Sequence, residues 1–150
     1  MFRHPHRGVF DLDFSPNGQN IGSASGNDIV IWRVRDGSSN VLNDGNIMNG
    51  HWYRRFKFSP NGSHIAAAHG DGFLRIWDSR THQLVVKWHG HNNVVSSLVF
   101  MPDGMGLLTC GKFDDSINYW KVAALGDLQL TPTMQDTVTL FHEFEGHTVR

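Results

Sequence analysis

The chain has one cysteine among its 150 residues, Cys110, so no disulfide can form within a single copy. That usage fits a reducing compartment. Charge of one sign is also missing: 13 Lys and Arg stand against 14 Asp and Glu, a net charge of -1. A near-neutral chain carries no broad footprint for nucleic acid and has little attraction to an anionic membrane. No apolar run approaches the ~20 residues of a membrane-spanning helix. Met1-Phe2-Arg3-His4-Pro5-His6 lacks the apolar core of a secretory signal. Helical periodicity of useful length occurs nowhere. The expectation is a protein of cytoplasm or nucleus, with no direct nucleic-acid partner and no membrane partner.

What the chain does have is a repeat. Phe14-Ser15-Pro16-Asn17-Gly18 returns as Phe58-Ser59-Pro60-Asn61-Gly62 and again as Phe100-Met101-Pro102-Asp103-Gly104. Each copy precedes an apolar stretch ending in Trp32, Trp77 or Trp120. The spacing of about 40–45 residues is that of one four-stranded propeller blade. Units of this kind bury their apolar faces against one another, so their number matters more to stability than chain length does.

Within each unit the residues alternate as strands do. Phe10, Leu12 and Phe14 alternate with Asp11 and Asp13, the period of a half-buried strand, and Pro16-Asn17-Gly18 supplies the turn. Ile21 to Ser25, Ile29 to Trp32 and the weak stretch Asn40 to Leu42 complete the first unit. The second reads as Phe56 to Phe58, His64 to Ala68, Leu74 to Asp78 and Leu84 to Trp88. The third reads as Val94 to Phe100, Gly106 to Cys110, Ser116 to Trp120 and, after an extended surface loop from Ala123 to Asp136, Thr137 to Phe144. Gly146 to Arg150 looks like the opening of a fourth unit.

Gly90-His91, the Phe-x-Pro-Asp-Gly turn, Asp114 ahead of Trp120, and Asp71 ahead of Trp77-Asp78 together resemble a WD repeat. The resemblance covers nearly the whole chain. It implies an all-β fold, a WD-repeat β-propeller segment of three four-stranded blades plus the start of a fourth, forming an incomplete ring. Blade one would span about 4–48, blade two about 49–90, blade three about 91–145, and the start of blade four 146–150, all within one WD-repeat region. Three stretches further resemble the propeller of the fungal Tup/Groucho-type general transcriptional corepressors. They are Trp32 to Gly37, Trp52 to Gly62, and Ser116 to Trp120 with the long loop that follows.

Blades of the WD family are braced by a hydrogen-bonded His, Ser/Thr, Asp and Trp. Carried over residue by residue, this implies structural roles for His91, Cys110, Asp114 and Trp120 in the third unit, with Cys110 where Ser or Thr is usual. In the second unit it implies roles for Asp71 and Trp77, with Ala67 at the hydroxyl position. His51 lies about two residues too close to Phe58 for the usual register, and Gly26 stands where the first unit's Asp belongs. Every brace departs from the pattern.

His91, Cys110 and Asp114 also match a base, thiol and orienter by type, but as bracing positions they serve the fold. His4 and His6, or His89 and His91, are spaced for one face of a strand, yet no closed metal-ligand set accompanies them. The chain is read as non-enzymatic, with no cofactor and no metal. Glycine-rich turns such as Gly70-Asp71-Gly72 precede no helix and read as hairpins, not phosphate cradles.

By the family pattern, the loops leading into each first strand and those between second and third strands gather on one face. That face would carry Trp52, Tyr53, Arg54, His69, Phe73, Asn92, Asn93, Lys112, Phe113 and Asp115, several of them types enriched at binding hot spots. The leading expectation is a protein-docking module, related to corepressor propellers, in the nucleus. Its partners would be transcription factors or corepressor subunits. Alternatives are a scaffold or substrate adaptor of another WD class, in the cytoplasm or nucleus, and a truncated fragment without activity. Open blade edges imply self-association.

Overall fold

The computed structural model describes residues 2–4, 8–44, 51–113, 116–122 and 138–145. Among them there is no helix and there are twelve strands, arranged in three four-stranded antiparallel sheets. The first sheet holds β1 (Asp11–Phe14), β2 (Asn20–Ser25), β3 (Asp28–Arg33) and β4 (Ser39–Leu42) in that order. The second holds β5 (Tyr53–Phe58), β6 (His64–His69), β7 (Phe73–Asp78) and β8 (Leu84–His89). The third holds β9 (Val95–Phe100), β10 (Gly106–Gly111), β11 (Ser116–Val122) and β12 (Val138–Glu145). The proposed opening of a fourth blade and the loop after Val122 lie outside the described residues.

The repeated turn has one geometry in all three copies. Gly18, Gly62 and Gly104 sit at φ 69, 74 and 73°, left-handed values that favour glycine. Each N–H donates to the carbonyl three residues back, of Ser15, Ser59 and Met101, at 2.8 Å. The Asn17, Asn61 and Asp103 side chains each accept a backbone N–H two residues on, at 2.9–3.0 Å. Asn and Asp are used here because their side chains close such a turn locally.

Register makes the units superimposable. Phe14 pairs with Ile21, Phe58 with Ile65 and Phe100 with Leu107. Those partners in turn face Trp32, Trp77 and Trp120 across the next strand pair. The sheets stack through a shared core. Ala24, Ile29, Ile31 and Leu42 meet Phe56, Phe58, Ile65 and Trp77; Ala66, Ala68, Leu74 and Ile76 meet Leu98, Phe100, Leu107 and Trp120. Small residues on β2 and β6 let the next blade's rings approach. At Gly22 a Cβ would collide with the Phe56 ring.

The first strand has the expected alternation and the same register as β5 and β9, so its Leu12 and Phe14 point to the side away from blade two. Leu12 and Phe14 are 61% and 60% exposed, whereas their counterparts Phe56, Phe58, Leu98 and Phe100 are buried. The acids of β1 look toward blade two instead. Asp11 Oδ2 accepts the Phe56 N–H at 3.1 Å and Asp13 Oδ2 accepts the Phe58 N–H at 2.9 Å. Both carboxylates cap donors that β5, an inner strand, could satisfy with no strand of its own sheet on that side.

Candidate functional site: the loop end of the blades

Strand direction alternates within each sheet, so the lead-ins to β5 and β9 emerge at the same end as the β2–β3, β6–β7 and β10–β11 turns. Backbone bonds knit that end together. Tyr53 N–H donates to Gly26 O, Gly70 N–H to Trp52 O, and Lys112 N–H to Val94 O, at 2.8–2.9 Å. Gly72 O accepts from both Gly90 and His91, at 3.0 and 3.2 Å.

Several expected surface residues lie open here. Trp52 is 46% and Phe113 68% exposed. Lys112, Asn92 and Asn93 are exposed too, and Asn93 Oδ1 accepts the Val94 N–H at 2.8 Å. Arg54 lies over the Phe10 ring at 5.0 Å and the Trp52 ring at 5.8 Å, and those rings stack on each other at 5.4 Å. Such cation–π contacts hold a guanidinium flat on an aromatic face. Lys112 Nζ sits 5.0 Å from the Phe113 ring centre. Phe73 is half-buried, edge-on to His89 at 5.1 Å, with Lys87 Nζ over its ring. Asp115 and the bracing Asp114 lie outside the described residues.

Two expected surface residues are core instead. Tyr53 and His69 are buried, their rings 4.8 Å apart and edge-on. Burial pushes the Tyr53 hydroxyl well above its ordinary value. Tyr53 starts β5 with its side chain between blades one and two, and His69 ends β6 with its ring against Tyr53. His69 Nδ1 lies 3.0 Å from Asp71, whose other oxygen is 3.6 Å from Arg75. Burial alone would raise the Asp71 carboxyl. Hydrogen bonds from His69 and the Phe73 backbone, with the charges of His69 and Arg75, hold it far below the usual carboxylate range.

The braces also differ from expectation. Thr109, not Cys110, supplies the third unit's hydroxyl: Trp120 Nε1 donates to Thr109 Oγ1 at 2.8 Å, and His91 Nε2 lies 2.8 Å from the same oxygen. Successive side chains on a strand face opposite ways, so Cys110 cannot share that position. His91 Nδ1 is 3.3 Å from Ser116 Oγ, which ties both ring nitrogens to hydroxyls. In the first unit Trp32 Nε1 donates to Ser23 Oγ at 2.9 Å. The second unit has Ala67 there, and the fully buried Trp77 Nε1 has no hydrogen-bond partner among the described residues. Among the described residues no three His, Cys, Asp or Glu side chains gather to hold a metal.

Sequence reading missed two participants. Phe10 reads in sequence as part of the first strand, but it lies just ahead of β1 at the loop end. Arg75 is buried against Asp44, its Nε 2.5 Å from Oδ2, with Lys87 3.3 Å from the same oxygen. Aligning the repeats on the turn phenylalanines could have found the first, since Phe10, Arg54 and Ser96 each stand four positions before them.

Comparison with known proteins agrees with this geometry. Human Pre-mRNA-processing factor 17 is 31% identical over 115 residues, covering 73% of this chain and 19% of that protein. WD repeat and SOCS box-containing protein 1 of Xenopus tropicalis is 29% identical over 99 residues, covering 66% of this chain and 23% of that protein. The chain thus matches about a quarter or less of the length of these relatives. Among solved structures, the WD40 repeats of RRP9 share the fold with a TM-score of 0.78 at 21% identity, over 97% of this chain and 41% of that one. The WD domain, G-beta repeat family matches residues 2–33, 44–78 and 82–121, and the chain belongs to that WD40 family.

Proposed function

We propose that the chain is a non-catalytic docking module that holds partner proteins on the loop end of its blades. The observation that carries this is the group of exposed Trp52, Lys112 and Phe113 with half-buried Arg54, drawn from two blades to one end. Exposed rings beside a guanidinium are the anchor chemistry of protein interfaces. A large apolar side chain left in a polar turn gains most from a partner that covers it.

In finer detail, the reading is a module of the corepressor-propeller kind, acting in the nucleus on transcription factors or corepressor subunits. It rests on the three sequence stretches quoted above. A second reading, an adaptor scaffold of another WD class, is favoured by the similarity to the WD repeat and SOCS box-containing proteins. Recovery of partners from nuclear extract but not cytosol supports the first, and the reverse supports the second.

The experiment for the module itself is affinity capture with the wild-type chain and with a Trp52→Ala, Lys112→Ala, Phe113→Ala triple variant. Loss of captured proteins in the variant is expected, and unchanged capture overturns the reading. The bare Leu12 and Phe14 face supports self-association of the 150-residue chain. Sedimentation tests this: oligomers that Leu12→Ser, Phe14→Ser dissociates are expected, and a concentration-independent monomer contradicts it.

A further inference from the structure

We infer that the cleft between the inner strands at the loop end binds an acidic, Asp- and Glu-rich segment of a partner protein; this rests on the docking reading above and names the chemistry of its partner. The cleft has a volume of about 380 Å³ and is lined by Phe10, Arg54, Arg55, Val94, Val95, Ser96 and Lys112, so all three blades contribute. Among the described residues that line it, three of the seven side chains are cationic and none is anionic. The chain as a whole carries a net charge of -1, so the cluster does not reflect a basic composition.

Elsewhere the molecule matches its blade-junction cations with carboxylates. Arg75 has Asp44 and Asp71, Lys87 has Asp44, and Lys57 Nζ lies 3.6 Å from Asp13. Around the cleft it does not: among the described residues no carboxylate stands within ion-pair distance of Arg54, Arg55 or Lys112. Arg54 is held by the Phe10 and Trp52 rings, and its Nε is buried with no hydrogen-bond partner among the described residues. Arg55 is fixed across the blade boundary, donating from Nε to Ser96 O at 3.0 Å and from one terminal nitrogen to Arg54 O at 2.9 Å. A guanidinium has five N–H donors, so both arginines keep donors for a ligand. Cations already immobilised lose little further freedom when a carboxylate arrives, which favours the bound state.

The cations come from two blades, Arg54 and Arg55 from blade two and Lys112 from blade three, which suits successive carboxylates along an extended peptide. Phe10 and Val94 give the cleft an apolar lining against which its backbone can lie. A nucleic acid needs phosphate neutralisation over a wider surface than this compact group provides.

The test measures fluorescence anisotropy of a dye-labelled oligoglutamate peptide titrated with the 150-residue chain, alongside oligoglutamine and single-stranded RNA. Saturable, salt-sensitive binding of oligoglutamate is expected, with a loss of about tenfold or more in Arg54→Gln, Lys112→Gln. The exposed Lys112→Gln change alone, which leaves the core untouched, should weaken binding in the same direction. Arg80→Gln, at the opposite end, should leave it unchanged. Equal binding by wild type and the double variant, or tighter binding of RNA or oligoglutamine, overturns the inference. If wild type ignores oligoglutamate while Trp52- and Phe113-dependent capture of proteins persists, the acidic-partner inference fails and the docking reading stands.

Discussion

Trp120 and His91 meet on a single oxygen, Thr109 Oγ1, each with a ring nitrogen 2.8 Å away. β10, β11 and the segment leading into β9 are thereby tied at one buried point of blade three. Replacing Thr109 by the isosteric Val leaves both nitrogens without that oxygen. The expected cost is about 1–3 kcal/mol, read from the urea midpoint. Cys110→Ser, on the other face of β10, should move the midpoint by less than about 1 kcal/mol. A reversed order would mean that the brace lies elsewhere.

The second blade offers the converse experiment. Trp77 Nε1 is buried without a hydrogen-bond partner among the described residues, and Ala67 occupies the position held by Ser23 and Thr109 in the other units. Ala67→Ser should restore the missing acceptor and raise stability by about 0.5–1.5 kcal/mol. Destabilisation instead would show that blade two lacks room for the oxygen.

How far such relations could be read in the sequence depended on the kind of signal. The turn motif and the strand alternation are local, so the strands fell where expected to within a few residues. The missing hydroxyl at Ala67 was visible because repeats can be aligned. The Thr109–Cys110 distinction was not, because it turns on a one-residue change of face that only register decides. Tyr53 and His69 read as loop-end residues, yet β5 and β6 extend far enough to carry both into the core between blades. The Asp44–Arg75 pair joins residues 31 apart in sequence, and nothing in either neighbourhood announces it.

At the junction of blades two and three, Gly72 has φ +85° and its carbonyl receives the Gly90 and His91 N–H groups. A Cβ there would collide with the His91 carbonyl oxygen. Gly72→Ala should therefore cost at least about 2 kcal/mol and speed amide exchange at Gly90 and His91. Near-neutral stability with unchanged exchange would contradict this packing.

Asp71 gives the fold an acid-sensitive contribution. Its carboxyl is held below the ordinary range when folded, despite burial, by His69, the Phe73 N–H and Arg75. The deprotonated form therefore favours folding. That contribution is fully present above about pH 4 and is lost as pH falls from there through the lower folded value. Denaturation midpoints of wild type should fall in that acid window, and those of Asp71→Asn should fall less. Parallel profiles would remove Asp71 from the account.

The claim that partners are held at the loop end is tested most directly by site-specific photocrosslinking. A benzophenone side chain is placed at Phe113, beside Lys112 and the cleft, or at Arg80 at the opposite end of the same arc, and each chain is irradiated with the captured partners. Adducts formed from position 113 and not from position 80 are the predicted result; adducts of equal or greater yield from position 80 would contradict it.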